Sequence, residues 1–194
     1  MAEPARLPNN TFGGNEDDAM SDPLRIEKGS RHAKIIGAFG EAFLCNWLSR
    51  SGFEVTIVDH TGLDLIAYHR TTGRRLGITV KSRTRDEGKE AESVNVFFNR
   101  KKPSDREKLS AACKAFACDP WVAVYVETGG SADLYLMSLE HFDQAYCPNK
   151  SCAIDAWKMG EKQKRDYDMD KDVQHICVEF RASNWTFSDR KAQP

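Results

Sequence analysis

Apolar residues recur at three- and four-residue spacing from Ser30 to Arg50, where Ile36, Phe39, Phe43 and Trp47 form one stripe and Ile35, Leu44 and Leu48 widen it. This period predicts an amphipathic first helix, with Ser30 as its N-cap and Gly52 as its stop. Three strand-like runs follow: 53–59, 64–69 and 75–81. Turn residues join them, so they read as an antiparallel meander. An extended piece is expected at 92–98. A second helix is expected over 104–118, opened by Ser104 with Glu107 in the capping-box position. The continuous apolar run 121–128 predicts a buried central strand, paired with 133–138 across Gly129-Gly130, and 138–146 a short helix. Beyond Cys147 the pattern weakens: a charged stretch reads as loop, and 175–181 as a last strand.

The expected organisation is an N-terminal arm (1–27) without periodicity, taken as disordered, a core at 28–146, and a C-terminal extension at 147–194 with one strand and a tail. Helix, meander, helix and strand make an α/β fold with one mixed sheet.

Pairing the second and third strands about Thr71-Thr72 sets position i opposite 143 − i, so Asp64 faces Thr79. Lys81 shares that face, while Ile78 and Val80 take the other. A bulge at Gly73 would shift this register by one. An Asp beside a Lys suits phosphodiester hydrolysis. The carboxylate holds a divalent cation that activates water, and the ammonium stabilises the transition state. Hard oxygen ligands favour Mg²⁺ (or Mn²⁺), and the Val80 carbonyl is a natural third oxygen. The competing reading is a surface Asp–Lys pair, worth little energetically.

These residues also carry a resemblance. Gly40-Glu41, Gly62-x-Asp64-Leu-Ile-Ala and Ile78-Thr79-Val80-Lys81-Ser82 together resemble the PD-(D/E)XK nuclease superfamily, especially its Holliday junction resolvase and restriction-endonuclease-like branch. "KGSR" (28–31) is similar to the start of archaeal resolvases. The resemblance implies an αβββαβ core with a central mixed sheet flanked by helices, and a Mg²⁺-dependent endonuclease acting on nucleic acid, with DNA the expected substrate. It implies Asp64 as metal-binding Asp, Lys81 as catalytic Lys and Glu41 as an added metal ligand. It also implies a homodimer. Glu41 stands out independently, because a carboxylate on a helix apolar around most of its circumference is costly unless paired or metal-bound. The departure is Thr79, where the family has an acid or Gln. The alternative reading is therefore a degenerate nuclease-fold module that binds nucleic acid or protein without cleavage.

Charge sharpens the picture locally. The net charge is −1, but Arg70 to Lys102 holds ten Lys/Arg against four Asp/Glu. This basic patch predicts phosphate contacts from Arg83, Arg85, Lys101 and Lys102. The 194 residues, 40% hydrophobic and 29% charged, suit one globular domain. No apolar run is long enough for a membrane span, and no secretory leader is evident, so a cytoplasmic protein with six reduced cysteines is expected. "CPNKSC" (147–152) is a looser candidate ligand pair. The five histidines are dispersed, and neither a P-loop, a dinucleotide fingerprint nor a G-x-S-x-G elbow is present.

Overall fold

The computed structural model describes residues 26–100, 102–148 and 153–185. The expected arm lies almost wholly outside them. The described elements run α1 (His32–Arg50), β1 (Phe53–His60), β2 (Leu63–His69), β3 (Arg75–Thr84), β4 (Val94–Phe98), α2 (Asp105–Ala115), β5 (Asp119–Glu127), β6 (Ser131–Ser138), α3 (Leu139–His141) continuing into a π-turn (Phe142–Tyr146), β7 (Ile154–Trp157), α4 (Glu161–Met169) and β8 (Gln174–Glu179). The αβββαβ order is present, with β4 inserted before α2.

Six strands form the central sheet in the order β1-β2-β3-β5-β6-β8, while β4 and β7 make a separate antiparallel ribbon. Only β3 and β5 run parallel, so the sheet is mixed. β5 is buried on both faces, as its uninterrupted apolar sequence requires. One face carries α1, whose Ile36, Leu44 and Leu48 pack on Leu65, Ile78 and Val80. The opposite face carries α2 and the β4–β7 ribbon, with Leu109, Cys113, Val124, Phe97, Trp157 and Tyr167 in its core. The fold is α/β, a mixed sheet flanked by helices.

The hairpin register is the one expected: Leu65↔Ile78, Ile66↔Gly77, Ala67↔Leu76 and Tyr68↔Arg75. Gly73 adopts φ +71° and its N–H closes the turn onto His69 at 2.9 Å, so no bulge shifts the pairing. The capping box of α2 is complete, with Ser104 Oγ accepting from Glu107 N–H and the Glu107 carboxylate accepting from Ser104 N–H.

Three expectations need correction. α1 begins at His32 with Arg31 at the N-cap, and no side chain caps it. Backbone bonds from His32 N–H to Gly29 and from Lys34 N–H to Arg31 satisfy the first turn instead of Ser30. The buried line of α1 is Ile36, Gly40, Leu44 and Leu48, not the Phe39–Phe43–Trp47 stripe. Gly40 lets the helix approach so closely that a Cβ there would lie 2.2 Å from Ser82 Oγ. That approach turns the aromatics to the flank, where Phe39 and Phe43 stack on each other and pack against Tyr125.

Finally, the segment after Cys147 is no loop with one strand. It supplies β7, α4 and β8, and buries Trp157, Met159, Tyr167 and Val173 in the main core. No helical period marks this segment in the sequence, because α4 is anchored by a single buried residue, Tyr167. The expected strand at 92–98 exists as β4, but pairs with β7 outside the central sheet.

Candidate functional site

β2 and β3 part company after the pair Leu65↔Ile78. At that divergence Asp64 takes over from the ladder. Its Oδ2 accepts the Val80 N–H at 2.7 Å and the Thr79 hydroxyl at 3.0 Å. The turn before β2 fixes this position. Gly62 has φ +90° and presses on α2 so tightly that a Cβ would lie 2.7 Å from the Lys108 carbonyl carbon. Only glycine meets both demands.

The N–H and C=O of one residue in a strand point to the same side. The Val80 carbonyl therefore points toward the gap that β2 vacates, on the same side as its N–H. Asp64 and Thr79 do meet, as the register implied, but the role of Thr79 differs from that of an acid. It is 4% exposed and donates to Asp64. A carboxylate there would confront Asp64 with like charge and require a cation between them.

Glu41 approaches from the α1 side. It sits next to Gly40, where α1 presses on Ser82 of β3, and is partly buried. Burial, and after it the negative charge of Asp64, hold its carboxyl above the ordinary 4.5. The Cys45 thiol, one turn on, is likewise pushed up by burial and then by Glu41. Among the described residues, no salt bridge involves Glu41, Asp64 or Lys81. Asp64 thus acts on Glu41 as a like charge, and among the described residues neither carboxylate has a salt-bridge partner. Carboxylate and carbonyl oxygens such as those of Glu41, Asp64 and Val80 are hard donors, of the chemistry that suits Mg²⁺ or Mn²⁺.

Lys81 follows on β3, on the face toward α2. Its charge reaches Asp105, the first residue of α2. Burial raises the Asp105 carboxyl, but the hydrogen bond and charge of Lys108, and then Lys81, outweigh it, so the net shift is downward. Asp105 was not singled out from the sequence. The capping box placed it in the first turn of a helix, and nothing local showed that this turn would face β3.

The basic rim is more committed internally than its composition suggests. Arg85, 15% exposed at its side chain, bonds Glu92 and the carbonyls of Glu92 and Ser93. It fastens the loop after β3 through these acceptors. Lys102 pairs with Glu107 at 2.9 Å. Arg83 is exposed and donates to the Ser82 carbonyl. Lys101 lies outside the described residues. Arg74 and Arg75 stack over Trp121 and Tyr68, and Arg70 pairs with Glu54.

Other candidates resolve into packing. His60 sits edge-on to Phe116. Cys45, Cys113, Cys118, Cys147 and Cys177 are free thiols, and Cys152 of the candidate ligand pair lies outside the described residues. His141, Asp170 and Asp172 bring ligand atoms within 4.8 Å of one another. There, Asp170 Oδ2 already takes hydrogen bonds from Tyr146 and His141, and its Oδ1 accepts the Asp172 N–H.

No family model matches the chain, and none of the curated proteins matches it. Among solved structures, Hjc, a Holliday junction resolvase of the archaeal hyperthermophile Archaeoglobus fulgidus, is similar with a TM-score of 0.40 and 18% identity. The match covers 54% of this chain and 73% of that one. A likeness of this extent assigns neither family nor residue roles. The class the fold and site define is an α/β protein with a carboxylate pair at a strand divergence.

Proposed function

We propose that the chain is a divalent-metal-dependent nuclease that hydrolyses phosphodiester bonds in nucleic acid, with DNA as its substrate. The observation that carries this reading is the Glu41–Asp64 pair, in which burial and the Asp64 charge raise the Glu41 carboxyl and neither carboxylate has a salt-bridge partner among the described residues. Glu41, Asp64 and the Val80 carbonyl would hold the metal, which when bound polarises a phosphate oxygen and lowers the pKa of a coordinated water. With Asp64 Oδ2 held by the Val80 N–H, Oδ1 would be the oxygen left for the metal. Lys81 brings a positive charge to the phosphate, and Arg83 lies on the path of the flanking backbone. A twofold dimer and a cytoplasmic location belong to the same proposal. No helix among the described residues is long and apolar enough to cross a membrane.

Thr79 favours one second reading. Its hydroxyl satisfies Asp64 directly, as a fold that binds nucleic acid without cleaving it would allow. Incubation of linear, supercoiled and branched DNA, and of RNA, with Mg²⁺ or Mn²⁺ separates the two. Cleavage that disappears in Asp64→Asn and Lys81→Met supports the nuclease. Binding without cleavage under every metal condition overturns it.

A further inference from the structure

α4 and the edge strand β8 are tied to the central sheet by a histidine gripped on both ring nitrogens. His175, on β8, has Nε2 3.0 Å from Asp133 Oδ1 on β6. Its Nδ1 lies 2.6 Å from Asp168 Oδ1 on α4. A neutral imidazole has one N–H and one lone pair, so it donates to only one of two carboxylates. The other carboxylate would then meet a lone pair. With both carboxylates ionised, only the imidazolium donates to each of them.

The surroundings agree. From α4, Lys164 reaches Asp133 Oδ2 at 3.1 Å, so two carboxylates face two cations when His175 is charged. Tyr135 on β6 lies flat under the ring at 4.3 Å, with planes 7° apart. Tyr135 also packs on Trp157 and Tyr167, so the ring covers the aromatic core beneath α4. On β8 itself, Cys177 has its thiol raised by burial and then by Asp133, and remains neutral. Glu179, further along β8, adds negative charge that reaches Cys177.

We propose that His175 is a proton-operated latch: charged, it fastens α4 and β8 to the sheet through Asp168 and Asp133, and neutral, it lets go of one of them and loosens both elements. The Asp133 hydrogen bond raises its pKa above the ordinary 6.5 despite burial, with Asp168 adding to the rise. Because the folded value is the higher one, the latch contributes fully below the unfolded pKa. It is lost as pH rises through the folded pKa. The window thus opens on the alkaline side of 6.5. This inference stands apart from the nuclease reading and uses none of its residues.

The test follows the imidazole of His175 by NMR in the full chain, with amide exchange of Ile176 and Val178 across the same pH range. Both ring nitrogens should carry protons at pH 6.5 and below. Exchange of the β8 amides, corrected for intrinsic pH dependence, should quicken about tenfold as the ring loses its proton. Asp168→Asn removes the more exposed grip without emptying the core, and should move the transition to lower pH. His175→Gln should abolish it. A midpoint at or below the ordinary histidine value, or β8 exchange that ignores the titration, overturns the latch.

Discussion

Removing the Asp64 side chain will cost stability before it costs any chemistry. Asp64→Ala leaves the Val80 N–H without its 2.7 Å acceptor and the Thr79 hydroxyl without its 3.0 Å one. Thr79 and Val80 are 4% and 9% exposed, so water replaces neither bond well. An orphaned buried donor costs about 1–3 kcal/mol, and the hydroxyl can rotate to another acceptor while the amide cannot. The sum is about 2–4 kcal/mol, or a fall in Tm of roughly 5–15 °C for a chain of this size. Asp64→Asn behaves differently. Its amide oxygen still accepts both bonds, and loss of charge relieves Glu41, so the change should stay within about 1 kcal/mol. Thermal and denaturant unfolding, each with and without Mn²⁺, check both halves. Wild type should gain about 2.7 kcal/mol at a hundredfold excess of metal over Kd, and Asp64→Asn should gain nothing. An Asp64→Ala variant as stable as wild type would refute the backbone role. A full Mn²⁺ response in Asp64→Asn would refute the metal role.

Glu41→Gln should raise Tm at neutral pH. A carboxyl whose pKa lies above 4.5 in the fold costs stability once pH exceeds that value, so the gain should fade as pH falls below it. A pH series of melts in which the variant is never the more stable protein would contradict this. Gly62→Ala combines positive-φ strain with a Cβ driven into the α2 backbone, and should lose about 3 kcal/mol in denaturant unfolding. Thr79→Glu should lose about 2–4 kcal/mol without metal, because it buries a second carboxylate against Asp64. Its Mn²⁺-induced rise in Tm should exceed that of wild type, and a stable variant indifferent to metal would count against a cation site there. Ser104→Ala removes the side-chain half of the α2 capping box and should cost about 1 kcal/mol.

Much of the frame was legible in order along the chain. The meander, its register about Thr71-Thr72, the capping box at Ser104 and the buried strand β5 each rest on local patterns. Periodicity, turn residues and caps act between neighbours a few positions apart, so they survive without knowledge of the fold. α4 was missed for the converse reason. One tyrosine holds it, and a single contact has no period.

The candidate site divides along the same line. That Asp64 meets Thr79 followed from strand alternation and register. What they do to one another depended on partners far away in sequence. Thr79 is a donor rather than a gap because Asp64 meets it across the divergence of β2 from β3. Arg85 is a loop fastener because Glu92 and Ser93 close around it. Glu41 carries a raised pKa because Gly40 brings α1 close to the sheet and Asp64 lies within reach. A side chain's type and period are properties of the chain. Its hydrogen-bond role, its charge state and its reach belong to whatever the packed fold sets in front of it.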